Sequence, residues 1–145
     1  LQGVSSFAIF GGLVYTAVQF RKSREAQHYA NFAKLVEMQA HLREMRVKDP
    51  ALASVYVHDA ETARTDAEVR QYFFNLMQLG VFEIVWFGHK RGQVPKDYFL
   101  SWERRMREIA AERSFRAMMG SGSMKIMHDE FQAYVEEMVR ATPAR

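Results

Sequence analysis

The chain has no cysteine, only three prolines, and no charged residue before Arg21. Without cysteine, thiol catalysis, disulfide frameworks and thiolate metal sites are excluded, and the composition suits a reducing compartment. Pro50 and Pro95 stand where a helix can begin, and Pro143 lies near the end of the chain, so none interrupts a helix interior. No GxSxG, Walker loop, GxGxxG, HExxH or HxH is present, and no internal repeat is visible. The net charge of +3 favours anionic lipid but is too mild for a nucleic-acid binder, and the aromatics fall at core spacing rather than between basic residues.

The missing charge is the most informative absence. Leu1–Phe20 is uncharged, and Arg21-Lys22-Ser23-Arg24 follows at once. About 20 helical residues span about 30 Å, the thickness of a bilayer's hydrocarbon core. A single transmembrane helix over 1–22 is expected, with its N-terminus outside and its basic end in the cytoplasm. A cleaved signal peptide is disfavoured, because its basic residues precede the apolar run. A buried helix of a soluble bundle is the alternative, since Gln2, Ser5, Ser6, Thr16, Gln19 and three glycines dilute the hydrophobicity.

Within this run Ser5, Ala8, Gly12 and Thr16 recur at three- or four-residue spacing and share one face, while Phe7, Phe10, Val14 and Val18 take the other. Small faces let helix backbones approach closely in lipid. The pattern predicts docking against another transmembrane helix, from an integral membrane partner or from a second copy. Arg21, Lys22 and Arg24 are the expected contacts to anionic headgroups.

The rest reads as all-α: an antiparallel bundle of about four or five helices over 23–145. Its expected parts are a stalk helix at 23–47, a short helix at 50–58, a core helix at 65–89, a helix at 95–119 and a C-terminal helix at 124–141. Tyr29, Phe32, Ala33, Val36 and Ala40 form the stalk's stripe, with Leu35, Met38, Leu42 and Met45 beside it. A stalk that continues the span lifts the domain tens of Å off the bilayer or lets it lean along it. Thr65-Asp66-Ala67-Glu68 reads as a capping box. The 72–87 segment is apolar nearly all round, which marks a central core helix, with a re-entrant or membrane-contacting helix as the alternative.

Candidate chemistry is sparse. Glu25-Ala26-Gln27-His28 has ExxH spacing, but a di-iron bundle needs two such motifs. The five histidines show no ligand spacing and fit exposed or cap-adjacent positions. Glu83 stands out, because a carboxylate in so apolar a helix needs a partner or a raised pKa. A hydrogen bond or salt bridge to a neighbouring Arg or Tyr is expected, with a ligand-binding role, shared with Asn75 on its face, as the alternative. Lys90, Arg91, Lys96, Arg104, Arg105 and Arg107 form a second basic region, either ion-paired in solvent or leaning on a membrane or acidic partner. No cofactor is expected.

The segment GLVYTAVQFRKSREAQHYANF, with Gln19-Phe20-Arg21 closing the apolar run, resembles a broad class of small bacterial inner-membrane proteins with one N-terminal span and a cytoplasmic helical domain. Asp49, Pro50 and Leu52, the Phe82-Glu83 pair, and a Gly-containing turn before an aromatic helix with Trp102 extend the likeness over most of the chain. The resemblance implies the architecture and a bacterial inner-membrane setting, and no activity. The expected function is a non-catalytic accessory or scaffold subunit of a membrane complex. A ligand sensor or enzyme with a pocket near Glu83, and a homo-oligomeric single-pass protein, are the alternatives.

Overall fold

A computed structural model describes residues 2–55 and 65–145, and every regular element among them is helical. Helix α1, Gln2–Lys48, runs unbroken for 47 residues, about 70 Å. Asp49-Pro50 ends it, because the residue before a proline is pushed out of the α region. The Asp49 carboxylate then accepts from the Ala51 N–H at 3.2 Å, and a 3-10 helix covers Pro50–Val55. The expected end of that short helix at His58, and most of the polar loop after it, lie outside the described residues.

Helix α2, Asp66–Lys90, opens with the expected capping box. The Thr65 hydroxyl accepts from the Glu68 N–H, and the Glu68 carboxylate accepts from the Thr65 N–H at 2.9 Å. Helix α3 is Lys96–Ala110, α4 Arg113–Gly120 and α5 Asp129–Ala141. Helix α2 is the centre of the bundle. Phe82, fully buried, meets Phe131 of α5 edge-on at 5.5 Å and stacks on Phe99 of α3 at 6.3 Å. Leu79, Met106, Phe115, Met118 and Val135 complete this core. Each such side chain contributes about 1.5–3 kcal/mol by burial.

Two glycines set how closely α1 and α2 pack. The helices run antiparallel, with Arg43 beside Gly80, Tyr29 beside Gly88 and Glu25 beside Arg91. A Cβ on Gly80 would lie 3.3 Å from both Arg43 Nη1 and Val36 Cγ1. A Cβ on Gly88 would lie 2.6 Å from Val94 Cγ2 and 2.7 Å from Tyr29 Cε2. The 23–47 segment is therefore no free stalk. From Glu25 onward it is part of the bundle, and the domain begins directly below the apolar run instead of tens of Å away.

Two further expectations change. The 95–119 segment breaks at Ala111–Glu112, where a turn rotates Phe115 and Met118 of α4 into the core. Arg116 holds this turn, its Nη1 donating to the carbonyls of Ala110, Val139 and Thr142 at 2.9–3.1 Å. The last helix starts at Asp129 rather than Met124. Residues before it form a strap in which Lys125 Nζ donates to the Ser121 and Ser123 carbonyls at 3.0 and 3.1 Å. Beside the stalk's stripe, Leu35, Met38, Leu42 and Met45 are exposed, because α2 covers the face of α1 that carries Val36 and Arg43.

Candidate functional site

Glu83, on α2, is buried, only 3% exposed. Its Oε1 accepts from the His128 backbone N–H at 2.7 Å and lies 2.8 Å from His128 Nδ1. A carboxylate oxygen donates nothing, so Nδ1 carries the proton of that second bond. His128 is the N-cap residue of α5, and no side chain of its own caps the helix. A carboxylate from another helix thus takes the capping role and faces the positive end of the α5 dipole. The His128 ring is held by stacking on Phe87 at 5.0 Å and by an edge contact to Phe32 at 4.8 Å.

The nearby buried cation is Arg43, 7% exposed, which donates from Nη1 to the Leu76 carbonyl at 2.9 Å. Burial pushes its guanidinium down to about 10, and the Glu83 charge acts against that shift. The expected Arg or Tyr partner of Glu83 is therefore replaced by His128 as the bonded group, with an arginine as electrostatic neighbour. Asn75 does not join Glu83. Its amide donates to the Ser114 hydroxyl at 3.2 Å, tying α2 to α4. The sequence marks His128 as cap-adjacent, just before Asp129-Glu130, but does not link it to Glu83, and it gives Arg43 no role; the available signal for Arg43 is its position seven residues after Val36, on the same helical face.

Glu83 and His128 form one wall of a groove of about 570 Å³ between α1 and the strap. Its other walls are mostly apolar: Phe32, Leu35, Met38 and Leu42 from α1, with Gln39 among them, and Ile126 and Met127 from the strap. Leu35 is 66% exposed, Leu42 56% and Ile126 69%, an apolar surface that nothing among the described residues covers. Among the described residues no three His, Asp or Glu side chains gather in a way that suits a metal ion.

Beyond the groove, α1 continues as the one described helix long and apolar enough to cross a membrane, and none of its apolar window is buried. Ser5, Ala8, Gly12 and Thr16 lie exposed along it, and among the described residues nothing stands within 4 Å of a Cβ placed on Gly11 or Gly12. The Thr16 hydroxyl donates to the Gly12 carbonyl at 2.9 Å, which satisfies it within the helix and leaves that face smooth. Arg21 and Arg24 line a cleft with Arg91 of α2, and Lys22 does not. In the second basic region Lys90 pairs with Glu130, Arg91 with Glu25, Arg105 with Glu108 and Arg107 with Glu103. Ordinary ion pairing accounts for most of that region. Comparison with protein-family models, with curated proteins and with solved structures finds no match for this chain.

Proposed function

We propose that the protein is a membrane-anchored, non-catalytic interaction protein, an accessory or scaffold subunit of a bacterial inner-membrane complex. The N-terminal part of α1 crosses the bilayer with its N-terminus outside, and the bundle lies in the cytoplasm. The observation that carries this reading is the exposed apolar surface along one continuous helix. It runs through Phe7, Phe10 and Leu13 and reappears on the bundle at Leu35, Met38 and Leu42 beside the groove. Side chains of this kind lose about 1.5–3 kcal/mol each when left in water, so uncovered runs of them mark contacts with lipid or protein. Lipid covers the first stretch. An amphipathic segment of the membrane partner fits the second, because such a helix lays its apolar face into a groove of this kind.

Photo-crosslinking in membranes tests this. A crosslinker at Leu42 and another at Gly12 should trap the same partner, and Gly12→Leu should weaken its co-purification in mild detergent. Migration as a free monomer with no crosslinked species at either site would overturn the assignment. Adducts between two copies alone would turn it into a homo-oligomer. A second reading, a small-ligand sensor or enzyme that uses the groove beside Glu83, is favoured by the groove's volume and its Glu83–His128 wall. It predicts a ligand that leaves with the groove variant Leu42→Glu and is unaffected by Gly12→Leu.

A further inference from the structure

Where the apolar run ends, the fold makes a second cleft, of about 700 Å³. Leu13, Ala17 and Phe20 of α1 form its apolar side, and Arg21, Arg24 and His28 continue it along the same helix. Its far edge is Arg91, brought from the C-terminal end of α2. Arg91 is held in place from two sides. Its Nη1 lies 3.5 Å from Glu25 Oε2, and its guanidinium sits over the Phe87 ring, 5.1 Å from the centroid. The close approach of α1 and α2 at Gly88 and Tyr29 is what brings Arg91 to this level.

The geometry points to a binding site for one anionic phospholipid, built jointly by the span and the bundle. The inference rests on the reading of α1 as a membrane helix. Glu25, the residue that Arg91 meets, lies five positions after Phe20, about 8 Å along the axis. That is the depth of the headgroup layer, about 5–8 Å on each side of the hydrocarbon. Three guanidiniums stand there against a single carboxylate, already engaged by Arg91, and the His28 imidazole lies about one turn further along α1. Guanidiniums suit phosphate because their N–H groups form a planar fork that matches its oxygens. The wall of Leu13, Ala17 and Phe20 runs from this point toward the bilayer interior, which is where the acyl chains of a lipid so held would lie. A free phosphate would use the guanidiniums and leave that wall uncovered, so the occupant is a lipid.

This differs from the general attraction of a basic flank for a charged membrane. It makes Arg91, remote in sequence, a specific contact and leaves Lys22, adjacent in sequence, outside the site. The full-length protein in mild detergent is titrated with phosphatidylglycerol, phosphatidylcholine or glycerol phosphate, and retained molecules are counted by native mass spectrometry. Phosphatidylglycerol should be retained in preference to phosphatidylcholine, and glycerol phosphate should be lost. Arg24→Gln and Arg91→Gln should each lower the preference about fivefold, the effect of one cation at an anionic surface. Lys22→Gln should leave it unchanged. Arg91→Gln also removes the contact to Glu25, whereas Arg24→Gln does not, so a matching loss in both reports the lipid. Equal retention of the two lipids, equally tight retention of glycerol phosphate, or an equal effect of Lys22→Gln would overturn the site. Alkaline extraction of membranes separates the two levels. Release of the chain removes the span itself, while a chain that stays in the pellet without lipid preference removes only the cleft.

Discussion

Glu83 of α2 caps α5 through His128, one carboxylate oxygen accepting from the backbone N–H at 2.7 Å and facing the ring Nδ1 at 2.8 Å. The bond joins the centre of the bundle to its last helix and fixes where that helix begins. Glu83→Gln keeps the shape but removes the charge that the helix end and the imidazole both favour. It should destabilise the folded chain by about 1–3 kcal/mol. His128→Ala leaves the backbone N–H in place and should cost less, about 1 kcal/mol. Denaturant unfolding in detergent micelles, followed by the fluorescence of Trp86 beside His128, checks the order of the two. An equal effect would mean that the ring, and not the cap, carries the contact.

The two interface glycines should differ in how they tolerate a methyl group. At Gly88 the added carbon would stand 2.6 Å from Val94 Cγ2 and 2.7 Å from Tyr29 Cε2, so both side chains must move. Gly88→Ala should cost about 1–3 kcal/mol through overpacking. At Gly80 the contacts are 3.3 Å, and the gain in helix propensity, about 1 kcal/mol, offsets most of the strain. Gly80→Ala should therefore unfold close to the parent midpoint, while Gly88→Ala unfolds clearly earlier.

Arg116 gathers three carbonyls at the ends of two helices with one guanidinium nitrogen. Arg116→Met keeps the stem and leaves those oxygens without their cation, at an expected cost of about 1–3 kcal/mol. Amide hydrogen exchange should show the loss first at the C-terminal turn of α5. Arg116→Lys should recover part of the protection, since an ammonium restores the charge without the planar fork.

One ion pair carries a defined pH dependence. The hydrogen bond from Lys90, with its charge, holds the Glu130 carboxyl below its ordinary value of 4.5. A carboxylate lowered on folding contributes stability above its unfolded pKa, and this is lost as pH falls through the folded value. The parent should be more stable than Glu130→Gln at neutral pH, and the difference should vanish once the pH falls well below the ordinary carboxylate range. A difference that persists there would show that Glu130 acts through packing and not through charge.

Composition and periodicity determined the helical class, the uncharged N-terminal run, the capping box at Thr65 and the central place of the 72–87 segment. Each of these depends on local spacing: an absence of charge over about 20 residues, a side-chain bond three residues on, apolar residues on every face. The burial of Glu83 was legible for the same reason, since an acid among Phe82, Ile84 and Trp86 has little choice. Only the tertiary structure decided who meets Glu83, because His128 is distant in sequence and a carboxylate accepts equally from arginine, tyrosine or a helix end. The same holds for the first half of the bundle. Periodicity placed Val36 and Leu35 in neighbouring stripes of one helix, and only the antiparallel packing of α2, close at Gly80 and Gly88, chose which stripe to bury. That choice leaves Leu35, Met38 and Leu42 to the outside and sets Arg91 beside the end of the uncharged run.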